Sequence, residues 1–185
     1  MALIPPFEIG VWNAWIIMVC LGLAMFIPNM IFNRDNLKVE GSKSATEKKF
    51  RRPWVVLFFL FVIYGIFLPF KVGTVWFYIG LPICLIGLIL LTIAIVNMAT
   101  TPLHNKCITK GLYRYSRHPM YITTSIMLVG LGIATASWVS ILFAVISLAL
   151  WYPLSISEEE FCLEKYGDEY RDYFNRTPRW LGKPQ

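Results

Sequence analysis

Charge is scarce in this sequence: Asp, Glu, Lys and Arg make up 15% of its 185 residues, whereas 57% are hydrophobic and 16% aromatic. A water-soluble domain of this size cannot be covered with so little charge, so lipid must cover much of the surface. Paired cysteines are missing too. Cys20 and Cys84 lie inside apolar runs and Cys107 and Cys162 in polar segments, with no CxxC spacing, which excludes a disulfide framework and a cysteine metal site. The first apolar run, Val11 to Phe32, has no Lys or Arg ahead of it and no small-residue cleavage site after it. That argues against a removable signal peptide and for a retained first helix. Internal repeats and low-complexity tracts are also absent. At about 20 residues per crossing, the length leaves room for about four to six spans with short loops, and none for a second soluble domain.

What is present is a series of long apolar runs. Five are expected to span the bilayer: Val11 to Phe32, Trp54 to Phe70, Val75 to Met98, Met120 to Ala136 and Trp138 to Ile156. The stretch from Met120 to Ile156 is too long for one crossing, and Ala136-Ser137-Trp138 is its most polar short point, so a tight helical hairpin is expected there. The fold class is therefore an all-α membrane protein of about five transmembrane helices in one domain covering residues 1–185. Cations set its orientation. Arg34, Lys38, Lys43, Lys48, Lys49, Arg51 and Arg52 follow the first span, Lys106, Lys110, Arg114 and Arg117 follow the third, and Lys165, Arg171, Arg176, Arg179 and Lys183 follow the fifth. Only Lys71 falls on the other side. The positive-inside rule makes the cation-rich side cytosolic, with the N-terminus outside and the C-terminus in the cytosol. The net charge of +6 is thus a topology signal and calls for no nucleic acid. Residues Asn33 to Phe50 read as a mobile, solvated loop, and the Lys43 to Arg52 cluster also suits anionic headgroups.

Two polar clusters flank the last hairpin, Gly111 to Tyr121 before it and Glu158 to Gly167 after it, and a hairpin returns its ends to one interface. Pro119 disfavours helical geometry at His118 and suits the first turn of the next helix, whose free N–H groups attract an anion. Arg117 supplies a permanently charged planar fork, His118 a group that moves a proton near neutral pH, and Tyr121 lies on the first turn. Against this stands a plain reading of Arg114, Arg117 and His118 as snorkelling cations, with Tyr113 and Tyr115 in an aromatic belt. Glu158, Glu159 and Glu160 directly after an apolar span place negative charge at a costly depth unless cations compensate it. Leu163, Tyr166, Tyr170 and Tyr173 recur at helical spacing and predict a short amphipathic helix along the membrane. Gly130 and Gly132 favour close helix packing.

Gly-x-Tyr-x-x-x-Arg-His-Pro-x-Tyr (Gly111 to Tyr121), followed by Glu158-Glu159, Tyr166-Gly167-x-x-Tyr170-x-x-Tyr173 and Pro178-Arg179, resembles the isoprenylcysteine carboxyl methyltransferase and phospholipid methyltransferase superfamily of membrane enzymes. The match covers roughly the last 75 residues. The resemblance implies methyl transfer from S-adenosylmethionine to a lipidic or prenylated acceptor. It places His118, Pro119, Tyr121, Glu159 and Tyr113 at the cofactor, and Arg117 and Glu158 in the chemistry, with no metal. The chemical role of Glu158 and its support of the cofactor are both open. One departure is that the sequence ends soon after Trp180, which leaves little tail to close over a substrate. The same C-terminal pattern is similar to membrane sterol reductases that use NADPH, and a non-catalytic membrane scaffold is a third reading. Oligomeric state and the identity of the acceptor are not legible.

Overall fold

The computed structural model describes residues 8–32, 45–101 and 107–183. Six helices follow in order: α1 (Trp15–Ile31), α2 (Ala45–Ile66), α3 (Val75–Ala99), α4 (Pro119–Ala134), α5 (Trp138–Tyr166) and α6 (Asp168–Arg176). A 3-10 turn at Gly111–Arg114 precedes α4. Among the described residues there is no strand, only an isolated bridge between Asn13 and Pro69. The expected all-helical class is met. The cations Arg34, Lys38, Lys43 and Lys106, and residues 33–44 of the loop expected over residues 33–50, lie outside the described residues.

α3 and α5 are long and apolar enough to cross a bilayer, and α1 and α4 are shorter apolar helices. Large apolar side chains point outward from most of the molecule, among them Phe26 on α1, Phe59 on α2, Ile89 on α3 and Leu142 on α5. Such an exterior belongs in lipid, and the chain is a membrane protein. α4 is the exception, with nine of its residues buried, because it packs between α3 and α5. α1 joins α3 to α2, and α2 closes against α5.

Glycine makes the α3–α4 contact possible. A Cβ at Gly80 would meet the backbone of Ala134, one at Gly87 the backbone of Met127, and one at Gly130 the backbone of Cys84. The two helices therefore touch main chain to main chain, as expected for Gly130. Just past the C-terminal end of α4 the hairpin turns at Ala136, whose φ is +50°. Ser137 then caps α5 by accepting from the Ser140 N–H at 3.3 Å. The hairpin lies where it was expected.

Five boundaries differ from expectation. α1 begins at Trp15, after a turn tied down by Asn13, whose Nδ2 donates to the carbonyls of Glu8 (2.6 Å) and Ile66 (2.8 Å). α2 begins at Ala45, inside the segment read as a loop, and ends at Ile66, short of Phe70. Its charged first turns are supported by an Arg51–Glu47 bond of 2.7 Å at helical spacing. α5 runs past Ile156 to Tyr166, so Glu158 and Glu159 sit on its rigid extension. The amphipathic helix expected through Tyr173 is broken at Gly167, whose φ of +57° ends α5 and starts α6 at an angle.

Candidate active site

The two polar clusters do meet. Glu159, on the last turns of α5, is 3% exposed and surrounded by cations. Arg179 grips it with Nη2 at 2.7 Å from Oε2 and Nε at 3.1 Å from Oε1. His118 Nε2 lies 3.1 Å from Oε1, and Arg117 Nε lies 3.2 Å from the same oxygen. The Arg117 contact is off the line of a hydrogen bond, so it acts by charge. The Arg117 guanidinium also donates from Nη1 to the Phe174 carbonyl at 3.2 Å and lies 3.8 Å from the Phe174 ring centre. It ties the loop before α4 to α6.

Glu158 is the open member of the pair. Its side chain is 44% exposed, accepts from the Tyr121 hydroxyl at 2.7 Å, and lies 3.4 Å from His118 Nδ1. The His118 ring thus stands between two carboxylates. Burial opposes its charged form, but Glu158 and Glu159 outweigh that and raise the imidazole pKa above its ordinary value. Pro119 opens α4 at its first turn, as expected, with His118 as the residue before the helix. The backbone N–H of His118 donates to Ser116 Oγ at 3.0 Å, and that hydroxyl donates to the Arg179 carbonyl at 3.1 Å.

The tail runs back along this loop. Arg117 N–H donates to the Pro178 carbonyl at 3.0 Å, and Gly182 N–H to the Tyr115 carbonyl at 3.1 Å. These bonds bring Trp180 to 6.2 Å from the His118 ring. Further rings extend the wall: His118 stacks on Tyr121 at 5.5 Å, Tyr121 on Trp151 at 5.1 Å, and Trp151 contacts Trp54 of α2 at 5.7 Å.

Of the residues singled out in the sequence, Arg117, His118, Pro119, Tyr121, Glu158 and Glu159 are brought together. Tyr113 is placed differently: its buried hydroxyl contacts Met98 sulfur at 3.8 Å, and its carbonyl accepts from Tyr173 at 2.7 Å, a tie between loop and α6. Arg179, Ser116, Trp151 and Trp180 were not assigned to the site from the sequence. For Arg179 the one available signal is the late Pro178-Arg179 pair. Among the described residues no group of His, Cys, Asp or Glu is arranged to hold a metal.

The sequence profile of the phospholipid methyltransferase family matches residues 70–169, more than half of the chain and including the whole of α3, α4 and α5. The chain belongs to the phospholipid methyltransferase family. Individual relatives agree in part. The nickel-cobalt-cadmium resistance protein NccN of Alcaligenes xylosoxydans xylosoxydans is 35% identical over 74 residues, 40% of this chain and 35% of that protein. A probable protein-S-isoprenylcysteine O-methyltransferase of Oryza sativa subsp. indica is 31% identical over 114 residues, 55% of this chain and 60% of that protein. A protein-S-isoprenylcysteine O-methyltransferase of Schizosaccharomyces pombe is 34% identical over 74 residues, 38% of this chain and 30% of that protein. The matched regions thus cover between 30% and 60% of these curated relatives.

Proposed function

We propose that the protein transfers a methyl group from S-adenosylmethionine to a lipidic or prenylated acceptor at the cytosolic face of a membrane. In this reading residues 1–185 form one domain of five spans, with the N-terminus outside, and the segments 111–121 and 158–180 form the cofactor site. The observation that carries it is the Glu158–His118–Glu159 arrangement, with Tyr121 bonded to Glu158, inside the region that matches the family.

The residues present suit the cofactor chemically. Glu158 is half-exposed and keeps acceptor capacity beyond its Tyr121 bond, which fits the amino or hydroxyl donors of a nucleoside-bearing cation. The faces of Tyr121, Trp151 and Trp180 suit a planar base or a cationic centre. When bound, S-adenosylmethionine would supply a methyl group on a positively charged sulfur. The chain's own work is to orient and to exclude water, since in-line displacement gains chiefly from positioning. Glu159, held by Arg179, Arg117 and His118, fixes the floor of the site. His118 keeps its place between the carboxylates by bonding both. Arg117, tied to Phe174 and Glu159, supports the loop that carries His118, and Glu158 faces the ligand.

The test is incubation of the purified protein with methyl-labelled S-adenosylmethionine and native membrane extract, followed by identification of labelled lipid. Label in a lipidic or prenylated product is expected. Binding of NADPH, with neither labelled product nor binding of S-adenosylhomocysteine, would overturn the proposal.

A further inference from the structure

The first turns of α2 lie outside the matched region, yet they carry two polar atoms with no partner among the described residues: Glu47 Oε2 and Trp54 Nε1, both buried. The Glu47 side chain is 7% exposed, and its other oxygen is taken by Arg51 at 2.7 Å. An unsatisfied buried carboxylate oxygen costs free energy, so two such atoms on one helix face call for an explanation. Positions 47, 51 and 54 recur at helical spacing and share that face. The face looks toward the site, since Trp54 contacts Trp151 and Trp151 stacks on Tyr121. Tyr121 in turn bonds Glu158.

We infer that Glu47 and Trp54 form a head-group subsite for the methyl acceptor, selecting a head that donates a hydrogen bond, a hydroxyl or amine, over a carboxylate. The inference rests on the proposed methyl transfer for the identity of its ligand. Glu47 Oε2 accepts from the head group, and Trp54 Nε1–H donates to the lone pair of a hydroxyl or neutral amine. A carboxylate head would face the Glu47 charge in a poorly solvated place, where like charges repel most strongly. The apolar tail lies toward the ring wall of Trp54 and Phe58, which stack at 5.3 Å. Because α2 is outside the matched region, this wall is where a member of the family would differ in acceptor choice.

Three probes with one tail and different heads decide the matter: radiolabelled dodecanol, dodecylamine and dodecanoate, bound to the full chain in lipid nanodiscs with protein-free discs subtracted. The wild type should bind dodecanol and dodecylamine about tenfold tighter than dodecanoate, the scale of one hydrogen bond to a charged group. Glu47→Gln should cut that preference to about twofold or less, while Lys48→Gln, on an exposed position one residue on, keeps it. An unchanged preference in Glu47→Gln overturns the inference. Should Glu47→Gln fail to fold, Trp54→Phe retains the ring and removes only the N–H. Weaker dodecanol binding then supports the subsite, and unaltered binding refutes it. S-adenosylhomocysteine binding, measured on the same samples, reports separately on the methyltransferase reading. Its absence would remove that reading while the head-group preference still decides the subsite.

Discussion

Arg179 holds Glu159 through two nitrogens, with Nη2 at 2.7 Å and Nε at 3.1 Å, although Gly167 and the whole of α6 separate them along the chain. A planar fork on a carboxylate of 3% exposure is the arrangement for which arginine has no substitute. The pair fastens the tail to the end of α5 and thereby sets Trp180 beside His118.

The two adjacent glutamates should separate stability from binding. Glu159→Gln leaves two guanidiniums without their shared counter-charge and should cost about 3–5 kcal/mol, read as a large fall in the detergent melting temperature. Glu158→Gln, at a half-exposed position, should leave the melting temperature nearly unchanged and weaken S-adenosylhomocysteine binding at least about tenfold. Equal losses of stability in both variants would contradict the division of roles.

Replacing the fork by a point charge is a finer test. Arg179→Lys keeps the charge but cannot present Nε and Nη2 together, and should lose about 1–2 kcal/mol. Limited proteolysis should cut the tail of the variant faster than that of the wild type. A variant as resistant and as stable as wild type would show that charge alone holds the tail.

The raised pKa of His118 has a definite sign. Its folded value lies above the ordinary value of about 6.5 because the carboxylates prevail over burial. The protonated ring therefore contributes stability in full below about pH 6.5, and the contribution is lost as pH climbs through the raised folded value. The melting-temperature advantage of wild type over His118→Gln should shrink as pH rises above about 6.5. An advantage that is flat or grows with pH would be inconsistent with an imidazolium between Glu158 and Glu159.

The glycine contacts of α3 should be unequal to those of α1. Gly87→Ala drives a Cβ into the Met127 backbone, which cannot yield without separating α3 from α4, and should destabilise by about 2–3 kcal/mol. Gly22→Ala meets nothing within 4 Å and should be neutral or stabilising by up to about 1 kcal/mol through helix propensity. Melting of the two variants side by side reads the difference.

Much of this was legible in the sequence where one physical signal dominated. The ends of α3 and the start of α5 followed from apolar length and from Ser137, and the hairpin put Glu158 and Glu159 beside His118 as expected. The start of α2 was not, because Glu47, Lys48, Lys49, Arg51 and Arg52 read as a solvated loop, whereas their helix is supported by the Glu47–Arg51 pair and by burial of Glu47. Periodicity through Tyr166, Tyr170 and Tyr173 concealed the break at Gly167, since both helices bury their tyrosines against the same small cluster. Arg179 stood out only through the late Pro178-Arg179 pair of the resemblance, for its partner is reached through that break rather than by any local spacing.

α5 is one continuous helix from its cap at Ser137 to Tyr166, with Pro153 inside it. At about 1.5 Å per residue the rise from Ser137 to Glu158 is about 32 Å, close to the thickness of the hydrocarbon layer. On the proposed topology the helix acts as a ruler that fixes how far the two carboxylates stand from the opposite leaflet. A thicker or thinner bilayer would move them relative to the headgroup plane, so lipid chain length becomes a handle on where the site opens.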